Sequence, residues 1–252
     1  MTSGHTHIQL TDATLRYPIG PFVQGSIKAN LLRLLGHRDS NVPRRKWVEA
    51  LTQINLAIDE GDRVGIIGRN GAGKSTLLRA IAGVYPLSSG LVNVQGKIQS
   101  IFELGIGFES DATGRENIMF RALVMGSSPD SVKEREEEIV RFADLGEFID
   151  LPIRTYSAGM LVRLAFAISS YLDGDILLID EVFGAGDADF QNKALARLNL
   201  LIEQAKIVIL VGHNIDTITR FCNRIIWIDH GKIVADGDAD QVTQAYLATI
   251  RS

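Results

Sequence analysis

Cysteine is almost absent from this chain: Cys222 stands alone among 252 residues. No intrachain disulfide can form, which suits a reducing compartment. Long apolar runs are absent too. Stretches such as Ile207 to Val211 are far too short to span a bilayer. If the protein serves a membrane process, another polypeptide must supply the pore. The N-terminus, Met1 to His7, lacks the basic-then-apolar plan of a signal peptide. There is no excess of positive charge; the formal net charge of −4 gives no general reason to expect nucleic acid as a partner. No internal repeat is evident, and aromatic residues are few, at 7%.

What remains is an ordinary soluble composition, 46% hydrophobic and 22% charged. A chain of this length can bury a proper core in one large or two intimate domains. Strand-like runs lie at Ile8 to Tyr17, Leu51 to Ile58 and Arg63 to Ile67, and two short ones flank Gly96 between Leu91 and Phe102. A helix is expected from Lys74 to Val84. The middle of the chain reads differently. Arg115 to Met125, Pro129 to Phe142 and Gly159 to Leu172 are helical by pattern, and the charged run from Glu134 to Glu138 reads as a solvated helix face. Strands return at Ile176 to Ile179, Ile207 to Val211 and Arg224 to Ile228. Helices Ala188 to Glu203 and Ile215 to Cys222 fall between them. Alternating strands and helices imply an α/β fold with a mainly parallel core sheet. The expected division is 1–109 for the first part of the core, 110–172 for an inserted helical subdomain and 173–252 for the rest of the core.

One motif carries chemistry directly. Gly68-Arg69-Asn70-Gly71-Ala72-Gly73-Lys74-Ser75-Thr76 sits between a strand and a helix, the context of a phosphate-binding loop. Its glycines let backbone N–H groups curl around phosphates, because no Cβ obstructs them. The following helix adds its positive dipole end. Lys74 is placed to reach the β- and γ-phosphates and Ser75 to ligate Mg²⁺. The strand Ile176 to Ile179 ends in Asp180-Glu181. Asp180 can hold Mg²⁺, directly or through water. Glu181 can polarise an attacking water as general base. Taken alone, two acids at a strand end are a solvated terminus; coupled to the glycine loop they complete a nucleotide-hydrolysing site.

With these motifs in this order the chain resembles the nucleotide-binding subunit of an ATP-binding cassette (ABC) transporter. Tyr156-Ser157-Ala158-Gly159-Met160 matches the family signature in variant form, with Ala158 and Met160 where the usual form has Gly and Gln. The resemblance implies that Ser157, Ala158 and Gly159 meet the γ-phosphate of ATP bound by the opposite subunit of a homodimer. A serine there is also an ordinary helix N-cap. By the same resemblance Asp187 crosses the dimer interface, His213 senses the γ-phosphate, and Tyr17 stacks on adenine; a half-buried tyrosine is the plainer alternative. The family's glutamine loop has no Gln here, and Glu103 or Glu109 stands in its place near the Mg²⁺. The implied fold is an ABC-type P-loop NTPase with an antiparallel β subdomain and a helical subdomain.

Phe102 to Phe108, Thr113 to Asn117 and Gly186-Asp187-Ala188 look like the branch exporting bacterial surface polysaccharides, O-antigen and teichoic acid among them. That implies an ATPase powering export of a lipid-linked polysaccharide. It also implies a separate polytopic membrane permease and a place at the cytoplasmic face of the inner membrane. With the sequence ending at Ser252, the C-terminal carbohydrate-binding domain of some members is not expected here. The stretch 18–50 is longer than compact cassettes need. A helix is expected at Ser26 to Leu35, with Ile27, Leu31, Leu34 and Leu35 as its apolar stripe. Residues 20–50 hold six basic residues, Lys28, Arg33 and Arg38 among them, against two acidic ones, a net +4. Such an element can meet anionic headgroups or an anionic lipid-linked substrate. Two other classes fit part of the pattern: a soluble P-loop phosphotransferase, and a non-transport ABC ATPase. The first leaves Ser157, Gly159 and Asp187 idle.

Overall fold

The computed structural model describes residues 5–19, 46–101, 107–180, 188–212 and 214–250. Two sheets form the framework. Strands β1 (His7–Ile19), β2 (Lys46–Asp59) and β4 (Ser89–Gln95) make an antiparallel sheet in the order β2-β1-β4. The second sheet runs β5-β6-β7-β3-β8-β9, from β5 (Ile98–Ile101), β6 (Ile176–Asp180), β7 (Ile207–Val211), β3 (Arg63–Ile67), β8 (Arg224–Asp229) and β9 (Lys232–Asp238). All its pairs are parallel except β8–β9.

The parallel strands read as continuous apolar runs because both faces are covered. Ile176 and Leu178 enter one core, Leu177 and Ile179 the other; Ile207 and Ile209 are likewise split from Val208 and Leu210. One core lies between this sheet, the antiparallel sheet and helix α1 (Lys74–Ile81). The other lies under the remaining helices. The antiparallel pair shows the opposite pattern, an alternation that slips phase. Ile8 and Leu10 are buried, then Ala13 and Leu15; across from them Leu51 precedes Ile54, Leu56 and Ile58. The slips coincide with Asp12 and Gln53, both at positive φ, where the register shifts. A bulge restores the inward face after each extra residue.

The helical subdomain packs α2 (Gly114–Val124), α3 (Pro129–Ala143) and α4 (Ala158–Tyr171) together. Thr113 and Glu116 close a capping box on α2. Arg115 bonds Glu136, Glu137 and Asp150, tying α2 to α3 and to the turn at 146–150. Helices α5 (Ala188–Gln204), α6 (Ile215–Phe221) and α7 (Ala239–Ile250) complete the core.

Most elements fall where expected, with informative differences. α1 stops at Ile81 rather than Val84. Gly83 adopts φ 72°, its N–H bonds Ala80 O, and Val84 N–H reaches Arg79 O, so a left-handed glycine closes the helix. β1 and β2 run on to pair Tyr17 with Val48 and Pro18 with Trp47, so the strands take in both ends of the long 18–50 stretch. The expected helix at Ser26 to Leu35 lies outside the described residues. β9 and α7 had no counterpart in the sequence reading.

Candidate functional site: a glycine-loop cavity and an exposed helix start

The glycine loop begins where β3 leaves the sheet. Gly68 sits at φ 149°, and a Cβ there would run into Ile228 O. Gly73 sits at φ 110°, where a Cβ would lie 2.6 Å from Ala50 O. Both positions therefore exclude any side chain. With no side chain, Gly73 cannot cap α1, and no side chain does. Helices α2, α3, α4 and α6 by contrast are capped by Thr113, Ser128, Ser157 and Asn214. An uncapped helix start presents backbone N–H groups and the positive dipole end to an anion.

Lys74 is buried within this loop, and its Nζ donates to Gly68 O at 2.9 Å and Arg69 O at 3.1 Å. Neutral carbonyls hold the ammonium in place, and a phosphate oxygen offers it a stronger, charge-assisted partner. Arg69, Asn70 and Gly71 are exposed at the tip. Beside the loop lies a cavity of about 320 Å³, walled by residues 71–76, by Val48, Glu49 and Ala50 of β2, and by His230 and Gly231. Ala72, Ser75 and Thr76 thus face the same space as the strand that pairs with β1. Tyr17 stands at that end. Its ring meets Tyr85 edge-on at a centroid distance of 5.6 Å. Burial raises its phenol, a hydrogen bond with Thr76 opposing the rise.

Asp180 is half-buried at the end of β6, beside Val211 of β7. Glu181, Asp187, His213 and Glu103 lie outside the described residues, as do Lys28, Arg33 and Arg38. Glu109 is exposed, and its carboxylate accepts weakly from Asp111 N at 3.4 Å. Its backbone is pinned by Asn117, fully buried, which accepts from Glu109 N at 2.7 Å and donates to Glu109 O and Thr113 O. Arg121, also buried, lies over the Phe108 ring at 5.0 Å, and burial lowers its guanidinium to about 10.

Residues 156–160 form the start of α4, where the chain reaches solvent. Tyr156 is buried and its hydroxyl donates to Phe148 O at 2.6 Å. That anchor leaves Ser157 and Ala158 exposed at the start of α4. Ser157 Oγ accepts from Met160 N at 3.2 Å. Above Gly159, a Cβ would meet nothing nearer than Ser157 Oγ at 3.8 Å. The segment is also tied to the loop at 110–114: Ile153 N donates to Ala112 O, Arg154 N to Ser110 O and Gly114 N to Leu151 O.

An uncapped helix start behind the glycine loop and an exposed, serine-capped helix start on one chain call for comparison with known proteins. The family model described as ABC transporter matches residues 51–184, more than half of the chain. The chain belongs to the ABC transporter family. This cassette is 44% identical over 226 residues to the O-antigen export system ATP-binding protein RfbB of Myxococcus xanthus, but spans only 51% of that protein against 89% of its own length. It is 42% identical to the corresponding RfbE of Yersinia enterocolitica, covering 90% of this chain and 96% of that one. The teichoic acids export ATP-binding protein TagH of Enterococcus faecalis is 38% identical over 79% of this chain and 44% of that protein. Among solved structures, a dimeric bacterial ABC transporter cassette matches with a TM-score of 0.66 at 25% identity, over 92% of this chain and 98% of that one. The cassette is thus an ATPase of the ABC-type P-loop fold.

Sequence reasoning missed part of the cassette's cavity. Val48, Glu49 and His230 wall it, yet the first two lie about 20 residues before the glycine loop and the third about 150 after it, and none carries a motif. The available signal was the pairing of β1 with β2, which carries Val48 to Tyr17 once both strands are read to their full length.

Proposed function

We propose that this cassette powers export of a lipid-linked surface polysaccharide through a separate membrane subunit, hydrolysing ATP between two copies of itself. The observation that carries the reading is the pair of half-sites on one chain. The uncapped start of α1 suits a phosphate, and the Ser157-capped start of α4 is exposed to solvent. Each copy then holds ATP on residues 68–76, with adenine toward Tyr17, and offers Ser157, Ala158 and Gly159 to the other copy's γ-phosphate. Asp187 belongs to the same interface. Glu181 takes a proton from the attacking water, and His213 senses the γ-phosphate. Ser75 and Asp180 are hard oxygen donors, and one or two of these beside substrate phosphates suit Mg²⁺. When bound, the ion would neutralise phosphate charge, with Glu103 or Glu109 ordering it or its water. Loss of the γ-phosphate removes the shared anion and loosens the pair, and a permease that binds the open and closed forms differently is driven between states.

Among the described residues no helix is long and apolar enough to cross a membrane. Support for a membrane partner comes from an exposed helix face. On α2, Phe120, Leu123 and Val124 are exposed at helical spacing, an apolar stripe fit for a permease segment. The relatives' export systems supply the substrate class, and the cytoplasmic membrane face is where such a cassette works. The test is Glu181→Gln. Phosphate release is expected to fall about 10²–10⁴-fold, the range for losing a general base, while light scattering shows an ATP-dependent dimer. Wild-type turnover, or a variant that stays monomeric in saturating ATP, overturns the reading.

A further inference from the structure

The turn joining β8 to β9 carries a side chain that no motif singles out. Asp229 pairs with Lys232, so His230 and Gly231 are its two central residues. Both lie at positive φ, 45° and 74°, the geometry of a tight two-residue hairpin. The turn is fastened on two sides. Gly231 N donates to Ala72 O of the glycine loop at 2.8 Å, and Gly231 O accepts from Thr52 N of β2, also at 2.8 Å. A Cβ at Gly231 would lie 2.7 Å from Ala50 O, so the turn sits directly against β2. These contacts fix the residue before Gly231 beside the phosphate loop.

His230 therefore lines the same cavity as Gly71, Ala72 and Lys74, yet its side chain is 93% exposed. The fold gains no packing from it. Asparagine or glycine suits a left-handed turn position better. The charged groups around the ring leave it free to donate. Asp229 Oδ2 is 3.9 Å from Nε2, beyond hydrogen-bond reach. Glu49, across the cavity, is engaged by Arg16 at 2.6 Å and by Thr52 Oγ1 at 3.3 Å. Lys74 is turned into the glycine loop.

We propose that His230 is a nucleotide-binding residue, its imidazole N–H donating to the phosphate chain of ATP held on the glycine loop. The proposal rests on the reading that this loop holds the nucleotide. Its test uses His230→Gly, which removes the donor while keeping a residue at ease in the left-handed turn. Lys74→Ala runs alongside. Mg-ATP affinity is measured by calorimetry, and KM and kcat by phosphate release. For His230→Gly, affinity is expected to weaken about five- to tenfold, somewhat below a fully buried charged hydrogen bond. KM should rise in step, with kcat within about twofold and the melting temperature unchanged. Wild-type affinity in His230→Gly, with Lys74→Ala impaired, overturns the role of His230 alone. Wild-type affinity in Lys74→Ala overturns the glycine-loop reading beneath it.

Discussion

Cys222 is buried against Gly65 and Ile218, and burial pushes its thiol up to about 12, with Arg63 opposing. In the unfolded chain a thiol ionises near 8.5. The folded state thus keeps a proton that the unfolded state loses, and this contribution is whole below about pH 8.5 and shrinks as pH rises toward 12. Between pH 8 and pH 10, Cys222→Ala should lose about 2 kcal/mol less stability than the wild type, read from urea midpoints; equal losses would contradict the assignment. Residues differ in how plainly the sequence displays them. The glycine loop is contiguous, so its spacing alone names Gly68 to Thr76. Asn117 is a single amide whose partners are backbone groups at Glu109, Ala112 and Thr113. Nothing in its own type distinguishes such an organiser from a surface asparagine.

At the scale of elements, the start of α4 combines two roles in Ser157, cap and proposed phosphate contact. Aspartate caps as well as serine does and suits a helix start electrostatically, but it repels a phosphate. Ser157→Asp is therefore expected to leave stability within about 0.5 kcal/mol while ATPase activity falls at least tenfold. Mixing it with Lys74→Ala should restore activity on the order of a quarter of wild-type sites, since random pairing leaves one intact site in half the dimers. No recovery would argue for a site enclosed in one subunit. Elements were legible where period and punctuation agreed, as for β3, β7 and α3. β9 was not, because its exposed face and Gly237 dilute the alternation. Where β1 ends was hidden too, since only pairing with β2 keeps Pro18 and Ile19 extended.

For the whole molecule, the parallel sheet and helical subdomain followed from strand–helix alternation, while the assignment of strand neighbours did not. β3 lies between β7 and β8, partners from the far end of the chain. The long basic stretch belongs to this scale as well, since its proposed target is another molecule. Replacing Arg33, Arg38, Arg44 and Arg45 by glutamine should impair glycan export several-fold in cells yet leave basal ATPase within about twofold, because the change removes attraction to an anionic substrate and nothing from the glycine loop. Unimpaired export would remove that role. The strand order has a consequence for biosynthesis. Arg63 pairs with Val208, and Val64 with Ile209 and Arg224. A ribosome has therefore made most of the polypeptide before the strand beneath the phosphate loop gains either neighbour. A nascent or prematurely terminated product lacks both strands that flank β3, and with them the frame under the glycine loop.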